Sequence, residues 1–187
     1  MKNLLQILHK LLLPSLLCII TTSVFVDNGI LLISLFALIT SICNLDKTKS
    51  GFLKSILYTL IISFIVFGLA ILNYILVGFL FDNITPNFIN FTISKVDFNY
   101  LIQVAFFSPI FMFYGYKFIF KINFTYVTYL IIVVVISILF ILGLIQSKQE
   151  IKLFFGILEF WQIIMAFALQ LILYQKELKV LFKPKNG

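Results

Sequence analysis

Residues 153–174 read LFFGILEFWQIIMAFALQLILY, an apolar stretch with one acidic side chain well inside it, Glu159. Turning 100° per residue about a helix axis puts Glu159, Gln162, Ala166 and Gln170 on one side. Lys152 and Glu177 extend that side at its two ends, and the other flanks are Leu, Ile, Phe, Met and Trp. A charge within a membrane span is costly, so it faces protein or a wet cavity rather than lipid. The stretch therefore predicts a transmembrane helix whose polar stripe is covered by the other helices.

The rest of the chain points to the same solvent. Of 187 residues, 62% are hydrophobic and 11% charged, with a mean hydropathy of +1.14. A soluble domain carries about 25% charged residues. Apolar runs long enough to cross a bilayer recur, and no polar stretch is long enough to form a soluble domain. The expectation is an all-α membrane protein, one polytopic domain over 1–187, built as a bundle of six transmembrane helices. The spans fall at about 11–26, 30–43, 55–81, 100–116, 124–146 and 153–174.

Each segment carries its own signals. Lys2 and Lys10 before an apolar run resemble a signal peptide, but no small-residue cleavage site follows, so the first helix reads as uncleaved. Pro14 falls near the start of that run, where a helix tolerates it. Asp27-Asn28-Gly29 is a turn. The second span, at about 21 Å, is shorter than the roughly 30 Å hydrocarbon core. Either turn residues complete it or the first two segments form a partly inserted hairpin; a full span is the preferred reading. In 55–81, Gly68 and Gly78 predict close helix packing and Asn73 a hydrogen bond between helices. The long loop 82–99 alternates Ile89, Phe91 and Ile93 with polar residues, which predicts a short extended segment ordered at the interface. Its two glycosylation-like triplets, at Asn83 and Asn90, read as chance in an Asn-rich chain. In 100–116, Gln103, Phe107, Ile110 and Tyr114 share a face, and Ser108-Pro109 predicts a kink whose freed backbone groups are met by neighbours or by Ser108. The run in 124–146 is apolar all round and reads as lipid-facing.

The net charge is +7, from 14 Lys and no Arg. The lysines lie in loops and tails, where they set orientation and argue against nucleic acid as a partner. With six spans, 11 lysines fall on one side and 3 (Lys95, Lys148, Lys152) on the other. The positive-inside rule then puts both termini in the cytoplasm, and the expected location is a bacterial inner or plasma membrane, multi-pass. The abundance of Lys, Asn, Ile and Phe suggests an AT-rich genome.

No catalytic constellation is present. The only histidine, His9, lies at headgroup level beside Lys10, too far from any span nucleophile to act as its base. No HExxH, paired span carboxylates or Gly-rich phosphate loop occurs. Cys18 and Cys43 read as buried apolar thiols without metal-ligand spacing. No cofactor or metal is expected. Glu159 has three readings: a cation or proton site; a polar contact with Gln162, Asn73 or Gln103; or a residue near the outer interface, about 10 Å past Lys152. The expected function is a non-enzymatic transport or permease component with an interior lined by Glu159, Gln162, Gln170, Asn73, Gln103 and Tyr114. The alternative is an accessory, assembly or immunity-type protein that binds another membrane protein. The partners expected are the lipid bilayer and either that protein or a transport partner.

The lysine split makes a direct prediction. With Cys18 and Cys43 replaced, a cysteine at position 90 should react with a membrane-impermeant thiol reagent applied outside intact cells, and one at position 49 should not. The reverse pattern overturns the orientation.

Overall fold

Long apolar runs form the helices, and turn residues end them. The computed structural model describes residues 2–25, 28–80, 87–88, 91–147 and 156–181. Its helices are α1 (Lys2–Val24), α2 (Gly29–Cys43), α3 (Phe52–Leu80), α4 (Lys95–Ile102), α5 (Ser108–Tyr116), α6 (Tyr126–Ser147), α7 (Ile157–Leu173) and α8 (Gln175–Leu181). A π turn, Gln103–Phe107, joins α4 to α5, and a 3₁₀ turn, Leu45–Lys47, follows α2. Two short strands, β1 (Asn87–Phe88) and β2 (Phe91–Thr92), pair antiparallel before α4. The fold is thus all-α apart from this small ladder. Among the described residues, four helical stretches are long and apolar enough to cross a membrane: Leu5–Val24, Phe52–Leu80, Asp97–Tyr116 and Tyr126–Ser147. The helices α2 and α7 are apolar but shorter.

In α3 burial runs inside out relative to a protein in water. The buried residues of α3 are Ser55, Thr59, Ser63 and Val66, while Phe64, Ile65, Leu72 and Phe79 are exposed. That pattern fits a lipid solvent, in which small residues let helices approach and large apolar side chains face out. Some buried hydroxyls return to their own helices. Thr40 Oγ1 donates to the Phe36 carbonyl at 2.8 Å and Thr59 Oγ1 to that of Ser55 at 2.6 Å.

The helices close a ring. α1 packs on α2 and α7, α2 on α3, α3 on α4 and α5, the α4–α5 rod on α6, and α6 on α7. α7 also reaches across to α2 and to the π turn. It buries ten of its 17 residues, against four of 29 in α3, so it is the inner element. Gly115 of α5 lets α3 come close, since a Cβ there would stand 2.6 Å from the Ile62 side chain. Beside it the Tyr116 hydroxyl lies 2.8 Å from Ser63 Oγ.

One end of the ring is fastened by a polar clamp. Lys10 Nζ donates to Asp46 Oδ2 at 2.5 Å, and the Tyr174 hydroxyl donates to Asp46 Oδ1 at 3.0 Å. Lys47 pairs with Glu177, and both Lys10 and Lys47 stand over the Tyr174 ring. The loops after α2 and α5 join through backbone hydrogen bonds from Lys49 to Ile119 and from Lys121 to Lys47, at 2.9 and 2.8 Å. Residues 10, 46–49, 117–121, 174 and 177 therefore share one end.

Several local expectations are revised. α1 starts at Lys2, so Pro14 lies inside the helix rather than near its start. The distortion at Ser108-Pro109 is a π turn: the Ser108 N–H donates to the Gln103 carbonyl, five residues back. Pro109 then falls in the first turn of α5, where its missing N–H is not needed. Gly68 faces open space, whereas Gly78 does approach Asn99. One face of α6, through Thr128, Ile132, Val135 and Leu139, is buried rather than lipid-facing. Phe91 pairs in the ladder and Ile93 is buried. The readings that rest on Asp27, residues 82–86, Ile89, Asn90, Lys148, Lys152, Lys183 and Lys185 lie outside the described residues.

The clamp gives the acid limb of stability a sign. Burial opposes the Asp46 charge, but hydrogen bonds from Lys10 and Tyr174 outweigh it and hold the carboxyl below its ordinary 3.8. Burial likewise opposes the Glu177 charge, and Lys47 outweighs it, holding that carboxyl below its ordinary 4.5. A depressed folded-state pKa contributes stability that is fully present above the unfolded value and is lost as pH falls through the folded one. The melting temperature in detergent should therefore drop as pH falls below about 4. Asp46→Asn should cost on the order of 1 kcal/mol at pH 7, because the pair is half-exposed, and should flatten that drop. An acid limb unchanged by Asp46→Asn with Glu177→Gln would show that the clamp does not carry it.

Candidate functional site

The stripe read on α7 is buried, but its members do different things. Gly156, in extended backbone, caps α7, so Glu159 lies in the first helical turn. Its carboxylate curls back over that end: a Cβ on Gly156 would stand 2.5 Å from Glu159 Oε2. This is the position of a capping-box acid, where free N–H groups and the helix dipole favour negative charge. Glu159 is 8% exposed and lies within electrostatic reach of Tyr100. Of its three readings, placement near a bundle end fits the helix start.

The amides lie deeper. Gln162 and Gln170 follow Glu159 down the same face of α7, and Gln103 opens the π turn that α7 touches. All three are buried. Gln162 Oε1 and both side-chain polar atoms of Gln103 and Gln170 have no hydrogen-bond partner among the described residues. Asn73 is partly exposed on α3. Tyr114 does not line the interior. It is 48% exposed and stacks on Phe124 with ring centroids 4.9 Å apart. The physical reason is the π turn, which breaks the 3.6-residue phase between Gln103 and everything after it.

A cavity of about 80 Å³ lies between α2, α3, the α4–α5 rod and α7. Gly29, Phe36, Ser63, Ser108, Trp161 and Gln162 are among its lining residues, and its walls are almost wholly apolar. Phe36 packs against Trp161, with centroids 5.5 Å apart, and against Tyr116 at 6.5 Å. Glu159, Gln170 and Gln103 are not part of the lining. A second recess, about 220 Å³, lies by Asp97, Tyr100, Gly143, Gln146 and Ile157. No group of three metal-ligating side chains occurs among the described residues.

Sequence reasoning missed Trp161, Ser63 and Tyr116. The chain has one tryptophan, and Ser55, Thr59 and Ser63 recur every fourth residue, which marks a buried face of α3 in an otherwise apolar helix. Comparison with protein-family models, with curated proteins and with solved structures finds no match for this chain.

The capping geometry predicts a graded response at Glu159. Glu159→Gln keeps an acceptor at the helix start and should cost about 0.3–1 kcal/mol at low salt. Glu159→Leu removes the acceptor as well and should cost more. Thermal unfolding in detergent measures both. A loss of about 3–5 kcal/mol for Glu159→Gln would mark a buried ion pair instead.

Proposed function

We propose that the chain is a six-span membrane protein with both termini in the cytoplasm, acting as a non-enzymatic transport or permease component. Several observations support the six spans. The ring has six rods, and the segments that precede α1's apolar run, join α2 to α3, join α5 to α6 and follow α7 all meet at the clamp. That alternation needs α2 and α7 to cross although they rise only about 22 and 25 Å. Their ends add reach: Asn28 caps α2 by accepting from the Leu31 N–H, and Tyr174 continues α7 into the clamp. Lys10, Lys47, Lys49, Lys117 and Lys121 gather at that end, which supports a cytoplasmic assignment.

The observation that carries the transport reading is the set of buried amides around α7. Amides that only join spans make hydrogen bonds worth about 0.6 kcal/mol on average. A buried polar group without a partner costs about 1–3 kcal/mol. Gln103, Gln162 and Gln170 make no such joint among the described residues, so contact with water or solute in another arrangement of the ring accounts for them better.

Access to water tests this without knowing the substrate. In a background with Cys18→Ala and Cys43→Ala, cysteines at 162 and 170 should react with a membrane-impermeant thiol reagent from at least one side of sealed vesicles. They should react at least tenfold faster than a lipid-facing control at Val134. Protection of both from both sides would overturn the transport reading and favour an accessory protein that binds a membrane partner.

A further inference from the structure

The loops after α2 and α5 are stitched into one unit at the clamp end. Thr48 pairs with Phe120 in an antiparallel bridge, and both are buried. Backbone hydrogen bonds flank the bridge, from Lys121 to the Lys47 carbonyl and from Lys49 to the Ile119 carbonyl. The pairing sets Lys47 opposite Lys121, and the Lys49 ammonium reaches on to the Lys117 carbonyl. Four lysines are thus collected on two short, joined segments. Like charges set opposite one another across a strand pair oppose the pairing, so the arrangement favours an anion among them.

The clamp does not supply that anion. Among the described residues the acids at this end are Asp46 and Glu177, and each already holds a lysine, Lys10 and Lys47 respectively. Lys49, Lys117 and Lys121 are exposed and have no acidic partner among the described residues. Lys176 and Lys179 differ in flanking Glu177 on α8.

The same segments expose large apolar side chains. Phe118 follows Lys117 directly and is 77% exposed, and Phe52 and Leu53 at the start of α3 are exposed as well. Lys117 Nζ stands 5.0 Å from the centre of the Phe124 ring. Tyr114 and Tyr129, both half-exposed, pack on that ring. Lysines with aromatic rings beside them are the pattern of a membrane–water boundary, where stems lie along apolar surface and charges reach the headgroups.

We propose that the joined loops bind the headgroup of one anionic phospholipid. Its phosphodiester sits among Lys49, Lys117 and Lys121, and its acyl chains run beside Phe118. An ammonium has only donors and a phosphodiester oxygen only accepts, so the pairing is charge-assisted in every combination. A zwitterionic headgroup brings its own cation to the same lysines and is disfavoured. The exposed apolar rim selects a lipid over a free phosphate ester. The site rests on the six-span reading for its leaflet and is independent of transport. A lipid held there joins the start of α3 to the α5–α6 loop and stabilises the clamp end by binding the folded chain alone.

The full chain in detergent is titrated with dioleoylphosphatidylglycerol and followed by native mass spectrometry and thermal unfolding. One retained lipid should saturate ahead of weaker additions, and the melting temperature should rise with it. Lys117→Gln with Lys121→Gln should weaken that first binding about thirtyfold, which is about 1 kcal/mol for each lysine at a headgroup. Lys121→Gln alone should weaken it about fivefold on the same scale. Lys176→Gln with Lys179→Gln removes as much charge from the same end and should change it less than about threefold. Circular dichroism and gel filtration check the folding of each variant. Dioleoylphosphatidylcholine should give no saturating first adduct, and the water-soluble headgroup glycerophosphoglycerol should bind far more weakly than the lipid. Equal losses in the two double variants would reduce the effect to general attraction by a basic surface and overturn the proposal. Retention of phosphatidylcholine to the same extent, or glycerophosphoglycerol binding as tightly as the lipid, overturns it too. The measurement needs no sealed compartment, so its failure leaves the thiol-access test at 162 and 170 untouched. Protection of 162 and 170 likewise sinks the transport reading and leaves this site standing.

Discussion

A helix with a carboxylate and two amides along one side cannot present that side to lipid, and the ring is arranged around this constraint. α7 has neighbours in α1 and α6 and cross-ring contacts to α2 and the π turn. Glu159, Gln162 and Gln170 are each more than nine-tenths buried as a result. The cost of hiding them is met in two ways. Glu159 is placed where the free N–H groups of the helix start favour its charge. Ala166 and Ala168, both buried, keep the middle of the helix slim enough for neighbours to close over it.

The two ends of the bundle are secured by different forces. At the clamp end, Asp46 is the hub: it receives Lys10 from α1 and Tyr174 from the end of α7, and Lys47 beside it reaches Glu177 on α8. Each contact is modest because the groups are partly wet, but together they connect elements far apart in sequence. Among the described residues, the opposite end is joined by packing and by local hydrogen bonds. Asn99 Nδ2 donates to the Tyr74 carbonyl at 2.6 Å, and Ser94 caps α4.

The helices were legible in the sequence because the apolar runs of this chain are long and their breaks are sharp. The buried side of α7 was legible too, since Glu159, Gln162 and Gln170 keep helical phase over three turns. Phase arguments failed where the helix itself changes pitch. Gln103 was placed inside and is inside, but Tyr114, read across the π turn on the same face, is outside. Glu159 looked central because the apolar run begins at 153. Helix α7 begins only at Ile157, and the run's length hid that. The cavity was not legible at all. It depends on how Phe36, Val66, Met112 and Trp161 pack around one space, and that is a property of packing between rods.

The π turn and the short second helix act on the same space. A straight α4–α5 rod would keep its residues in one phase. The extra residue in the π turn rotates all of α5, turning Met112 and Phe113 inward and Tyr114 outward. Met112 then supplies a cavity wall opposite Phe36, and Tyr116, one turn on, supports Phe36 from below while its hydroxyl engages Ser63. Pro109 has no N–H, so one carbonyl of the preceding turn lacks its usual donor in either register. The bond from the Ser108 N–H to the Gln103 carbonyl, five residues back, sets the phase of the wall. The backbone register just before Pro109 thus decides which side chains of α5 line the cavity beside Gln162.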